Sequence, residues 1–178
     1  PSGNHDMDRL ARTLDTKEQK VAFAFLLSMP GAPFIYYGDE IGMRHVEGLV
    51  SVEGAYSRTG ARSPMQWNGA ENAGFSTASG DKLYIKQDEA ADRPTVEKQL
   101  ADADSLYHEI KKLIQIRQAH KALQSKGEIE FVYAEKDSYP FAYVRSMEEE
   151  KILVVLNPSG QETSFACDLE LGEVIYCF

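Results

Sequence analysis

The stretch VAFAFLLSMPGAPFIYYG, residues 21–38, constrains the fold more than any other part of this chain. Val21 to Met29 is apolar nearly all round, so a helix there has almost no solvent face and needs neighbours over most of its surface. Its start is written twice at capping-box spacing, Asp15 with Glu18 and Thr16 with Gln19. Pro30-Gly31 ends it. Phe34 to Tyr37 is then continuously apolar, the pattern of a parallel strand buried on both faces. A helix and a strand of this kind predict an α/β layer structure. A strand with neither neighbour is not stable, so the chain is expected to self-associate, to lean on an N-terminal piece outside it, or to rebuild this strand in another arrangement.

From Gly38 to about Ala103 the chain is glycine-rich and loop-like, a length that is usually functional or disordered. The aromatic residues Tyr56, Trp67, Phe75 and Tyr84 favour packing, and Trp67 and Met65 are expected to be buried. Thr95 to Ala101 reads as one short helix. Asp104 to Leu123 reads as a long amphipathic helix, with Asp104 as N-cap and Gly127 just past its end. Beyond it the period changes to two. Segments near 129–133, 141–144, 151–156, 163–166 and 173–177 predict about five strands joined by hairpin-sized turns. The predicted organisation is therefore an α/β part over residues 1–126 and a small antiparallel β domain over 127–178, complete or truncated.

Composition removes several function classes. A formal charge of −9 argues against nucleic acid and anionic membranes, since counterion release needs clustered Lys and Arg. No apolar run approaches the roughly 18–20 residues that span a bilayer. Cys167 and Cys177 lack the neighbours of a zinc site. They fit a disulfide or two buried thiols, the second being commoner in an intracellular protein. The acidic segments show no calcium-loop pattern, and no cofactor is implied. Pro1 follows no initiator Met and no export leader, so the expectation is a chain that begins inside a longer protein.

Each short motif is weak alone; their order is specific. Asn4-His5-Asp6, a capped apolar helix, PFIYYGDEIGM, RSPMQWN and ENAGFS follow one another along the chain. This succession resembles the α-amylase family of glycoside hydrolases (family thirteen), in its oligo-1,6-glucosidase, α-glucosidase and trehalose-forming subgroup. The resemblance implies the C-terminal end of a (β/α)8 barrel, incomplete here, followed by a small antiparallel β domain. Asn4-His5-Asp6 would be the loop leaving the seventh barrel strand, and Phe34 to Tyr37 the eighth strand. Barrel enzymes place their chemistry at the C-terminal ends of strands, where Asp6 and the Asp39-Glu40 pair both fall.

The family uses three carboxylates: a nucleophile, a general acid/base, and a third that holds sugar hydroxyls and stabilises an oxocarbenium-like transition state. By the resemblance, Asp6 is the third carboxylate and His5 the neighbouring hydroxyl-binding imidazole. Arg9 and Arg62 are candidate sugar contacts near the site, a structural ion pair being the alternative for each. Met7-Asp8 departs from the subgroup's usual Gln-Pro. Adjacent Asp39 and Glu40 cannot both flank one bond, because neighbours at a strand end point to opposite faces. The resemblance gives Glu40 a framework role. Glu47, Glu53, Glu71 and Asp81 read as solvated loop charges. The nucleophile and acid, which the family draws from earlier strands, are not represented, so the chain alone is expected to be inactive. Three functions compete: an α-glucoside hydrolase acting on starch- or sucrose-derived oligosaccharides, a transglycosidase (trehalose-forming or sucrose-using), and a non-catalytic carbohydrate-binding or interaction protein of the same fold. The implied partners are an α-linked oligosaccharide and the N-terminal part of the same barrel. The implied location is the cytoplasm.

Overall fold

The computed structural model describes residues 1–54 and 56–178. Helix α1 covers Thr16–Ser28 and uses one of its two possible starts. The Asp15 carboxylate accepts the Glu18 N–H at 2.9 Å, and the Glu18 carboxylate accepts the Asp15 N–H at 2.8 Å. Helix α2, Val96–Ala101, is capped by Thr95. Helix α3 covers Leu106–Ala119 and is capped by Ser105, one residue later than predicted. Asp104 instead belongs to the preceding turn, donating its N–H to the Asp102 carboxylate at 2.9 Å. His120 ends the helix, and Lys121–Leu123 forms a separate 3-10 turn. Gly127 is not a helix cap. It is needed for space, since a Cβ there would collide with the Ala122 carbonyl and stand 2.8 Å from Arg145 Nη2.

The predicted strand at Phe34 to Tyr37 does not form. Its lateral partner is Ser2, whose N–H donates to the Phe34 carbonyl at 2.8 Å and whose Oγ accepts the Tyr36 N–H at 2.9 Å. These bonds fix an extended path without making a ladder, and Phe34 is left 68% exposed.

Three antiparallel strands follow in the order β1-β2-β3: Glu128–Tyr133, Phe141–Met147 and Glu150–Leu156. The two further predicted strands, near 163–166 and 173–177, are absent. Their aromatic residues pack elsewhere. Phe165 lies 5.7 Å from the Tyr133 ring, and Tyr176 turns onto α3, donating its hydroxyl to Glu109 at 2.6 Å. Cys167 is half-buried and Cys177 exposed, both as free thiols, so they form neither a disulfide nor a buried pair.

Phe23, Ala24 and Leu27 of α1 meet Leu106, Ile110 and Leu113 of α3, and Tyr143 and Leu156 of the sheet close the same core. Each fully buried large apolar side chain here contributes roughly 1.5–3 kcal/mol. This core crosses residue 126, and so does Arg145, one of two buried arginines. Arg117 donates to the carbonyls of Leu27, Met29 and Gly31 at 2.6, 2.9 and 2.6 Å. Arg145, fully buried in β2, donates to the carbonyls of Ser28, Gln124, Gly127 and Glu128. The end of a helix leaves unpaired carbonyls at its negative pole, and the two guanidiniums take up that role together. Burial lowers the pKa of both arginines.

Candidate active site

The site begins with a short turn. Asn4 Oδ1 accepts the Asp6 N–H at 2.7 Å, and the Met7 N–H reaches the Asn4 carbonyl at 3.3 Å. A turn of this kind leaves the intervening side chains outside, and His5 and Asp6 are exposed over 68% and 51% of their side chains. His5 Nε2 stands 3.2 Å from Asp6 Oδ2. The other carboxylate oxygen is taken by two guanidiniums from the 3-10 turn Ser57–Arg62. Arg62 Nη2 is 2.9 Å and Arg58 Nε 3.4 Å from Asp6 Oδ1, while Arg62 Nε donates to the His5 carbonyl at 2.7 Å. Arg58 also stacks on Tyr56 at 5.4 Å. Tyr37 anchors the exit of this turn, donating its hydroxyl to the Ser63 carbonyl at 2.8 Å.

Arg9 does not join this group. Its side chain is fully enclosed, bonded to Asp39 Oδ1 at 3.0 Å and to the Tyr37 carbonyl at 2.7 Å. Its guanidinium lies 5.0 and 4.9 Å from the Tyr36 and Tyr37 ring centres. Of its two sequence readings, the ion pair is the one realised here: a guanidinium sealed on all sides offers nothing to a sugar. Gly38 makes the enclosure possible. Its φ is +86°, and a Cβ would collide with Met43 Sδ and stand 3.1 Å from Arg9 Nη1. Asp39 also accepts the Ser2 hydroxyl at 2.7 Å. Burial pushes its carboxyl pKa up, against the pull of Ser2 and Arg9. Burial likewise raises Tyr36 to about 12.

Asp39 and Glu40 part company as expected. They sit in a 3-10 turn, Asp39–Ile41, and Glu40 faces a cleft of about 430 Å³ beside Ile35 and the α3 residues Tyr107, Ile110 and Ile114. That cleft is not lined by His5, Asp6, Arg58 or Arg62. Trp67 is 48% exposed and Met65 half-buried, contrary to the sequence expectation; the fully buried members of RSPMQWN are Ser63 and Gln66. Gln66 donates to the Pro94 carbonyl at 2.5 Å and is enclosed in the loop, which turns Trp67 outward. Sequence reasoning missed Arg58 and the turn-forming role of Asn4. Arg58 and Arg62 stand four residues apart on a 3-10 turn, a spacing that by itself puts no two side chains on one face, so it gave no signal for Arg58.

Comparison with known proteins now adds identity. The profile of the α-amylase catalytic domain matches residues 2–126. The chain is 30% identical to an oligo-1,6-glucosidase of Halalkalibacterium halodurans, over 94% of this chain and 35% of that protein. It is 29% identical to a glucan 1,6-alpha-glucosidase of Streptococcus pneumoniae, over 97% and 37%. Among solved structures, the trehalulose synthase MutB from Pseudomonas mesoacidophila superposes with a TM-score of 0.74 at 25% identity, over 87% of this chain and 33% of that one. The chain belongs to the α-amylase family of glycoside hydrolases. It spans about a third of the length of the curated relatives it matches.

Proposed function

We propose that this chain is the part of a retaining α-glucoside hydrolase that lines the sugar site on the non-reducing side of the scissile bond. Asp6 is its transition-state-stabilising carboxylate and His5 its hydroxyl-binding imidazole. The observation that carries this reading is the lopsided holding of Asp6. Two guanidiniums hold Oδ1, while Oδ2 faces the exposed His5 ring at 3.2 Å on the same turn. A neighbouring pair of sugar hydroxyls can donate to Oδ2 and bond the imidazole without displacing either arginine. Those bonds strengthen as positive charge develops at the ring, which lowers the barrier rather than merely the dissociation constant. Arg62 orders the turn through His5, and Arg9 supports the floor from below. The nucleophile and general acid come from barrel strands outside residues 1–126. Glu47 and Asp81 do not substitute for them, being paired to Arg12 at 2.9 Å and Lys82 at 3.1 Å.

The chain alone therefore releases no p-nitrophenol from the α-glucoside, and turnover that survives Asp6→Ala would overturn the assignment. The exposed Phe34 and its unladdered segment support further strands beside residues 34–37. Sedimentation velocity of the isolated chain then detects species heavier than 19.9 kDa. A second reading, transfer rather than hydrolysis, is favoured by 38% identity over 120 residues, 64% of this chain, to a trehalose synthase/amylase of Mycobacterium tuberculosis. Product analysis of a barrel containing this chain separates them: free glucose marks hydrolysis, and trehalose marks transfer.

A further inference from the structure

His45 lies between the two segments that build the Asp6 site, with 1% of its side chain exposed. Its Nε2 is 3.0 Å from the Ser57 carbonyl. A carbonyl oxygen only accepts, so that nitrogen carries the proton. Ser57 opens the turn that carries Arg58 and Arg62. One residue along, the Val46 N–H donates to the Gly60 carbonyl at 3.2 Å. Gly60 lies so flat on this strip that a Cβ would collide with the Val46 carbonyl and stand 2.6 Å from His45 Nε2. On the opposite edge of the ring, Nδ1 faces Asp8 Oδ1 at 3.6 Å. Asp8 is in turn paired with Arg12 at 2.7 Å, and Arg12 with Glu47 at 2.9 Å. One buried ring thus touches both the segment bearing Asp6 and the turn bearing its arginines.

We propose that His45 and Gly60 are positioning residues for the Asp6 site. His45 hooks the Ser57 carbonyl and Gly60 lets the turn sit flush, so that the Arg58 and Arg62 arms arrive at Asp6. Neither residue touches a sugar. Exposed ion pairs are weak by themselves, and their geometry is set by the backbone they hang from. A histidine that merely filled the core would need no carbonyl on this turn, and the turn would tolerate a Cβ at position 60. The functional weight of the inference rests on the reading of Asp6 above, and its test does not.

Nuclear magnetic resonance on the chain as it stands gives that test. The Arg62 Nε–H, which donates to the His5 carbonyl, exchanges with solvent at a rate that reports whether the arm is docked. Losing one largely buried hydrogen bond corresponds to about tenfold in such an opening equilibrium. In His45→Ala the exchange is expected to be about tenfold faster, and in Gly60→Ala to rise similarly. His45→Gln, whose amide nitrogen takes the place of Nε2 and keeps an N–H for Ser57, should return it to within about twofold of the parent. Unchanged exchange in His45→Ala, or no rescue by His45→Gln, overturns the proposal. If His45→Ala does not fold, the unsubstituted chain decides: a slowly exchanging His45 Nε2–H with a cross-peak to Gly60 Hα is expected, and its absence overturns the hook. No sugar or turnover enters, so a failure here is distinguishable from a failure of Asp6 in catalysis.

Discussion

Asp6 and Asp39 are each held by an arginine at nearly the same distance, 2.9 Å from Arg62 and 3.0 Å from Arg9. Everything else about the two pairs differs. The Asp39 pair is sealed, with side-chain exposures of 1% and 0%; the Asp6 pair is open, at 51% and 24%. Separation alone therefore does not reveal what a carboxylate is for. In the interior, the pair exists because neither charge can be left alone, and it binds nothing further. At the surface, the arginines cost little to assemble and hold one oxygen, while the other faces the exposed His5 ring. The sealed pair is structural, and the open pair is the candidate site.

The contrast breaks most sharply on stability. Removing one partner of a buried pair leaves an uncompensated charge, so Arg9→Ala should lower the unfolding free energy by about 3–5 kcal/mol. Asp6→Asn should change it by less than about 1 kcal/mol. Urea unfolding of both variants checks this, and equal losses would mean the two pairs do the same job. Next in size is Arg145→Met, at about 3 kcal/mol, because four buried carbonyls lose their donor while the volume is kept. Gly38→Ala should follow at about 2 kcal/mol, from the positive φ and the contact with Met43.

The smallest effect lies at the junction of α3 and the sheet. Glu150 accepts the Ala122 N–H at 2.8 Å and bonds His120 Nδ1 at 2.6 Å, and these bonds hold its carboxyl below the ordinary 4.5. A lowered carboxyl contributes stability that is present above the ordinary value and is lost as pH falls through the folded value. Glu150→Gln should thus flatten the acid limb of the thermal midpoint against pH, by an amount worth under about 1 kcal/mol. A superimposable acid limb would remove this bond from the account.

Local signals survived the passage from sequence to structure, and lateral ones did not. The Asp15–Glu18 box is complete within four residues, so it was legible. So was the change of period near residue 127, where β1 begins at Glu128. The strand at Phe34 to Tyr37 was overread because apolar run and β-branching state a preference, while a ladder requires a neighbour at every position. The two last strands failed for the same reason, Tyr176 finding α3 before any strand. In the site, Asp6 and His5 stood out by motif, and Arg62 by its place before SPMQW. Arg9 looked alike in sequence, and only burial separates it from Arg62. His45 and Gly60 were illegible, because each stands out only through a contact with the other's segment, far off along the chain.

Asp6 as a transition-state stabiliser is tested by the kcat for α-glucoside hydrolysis in a polypeptide where this chain follows the preceding barrel strands, comparing Asp6 with Asp6→Asn. The account predicts a fall of several orders of magnitude in kcat, with the fold retained and KM altered far less, as for an interaction made chiefly in the transition state. An unchanged kcat, or a loss confined to KM, would contradict it.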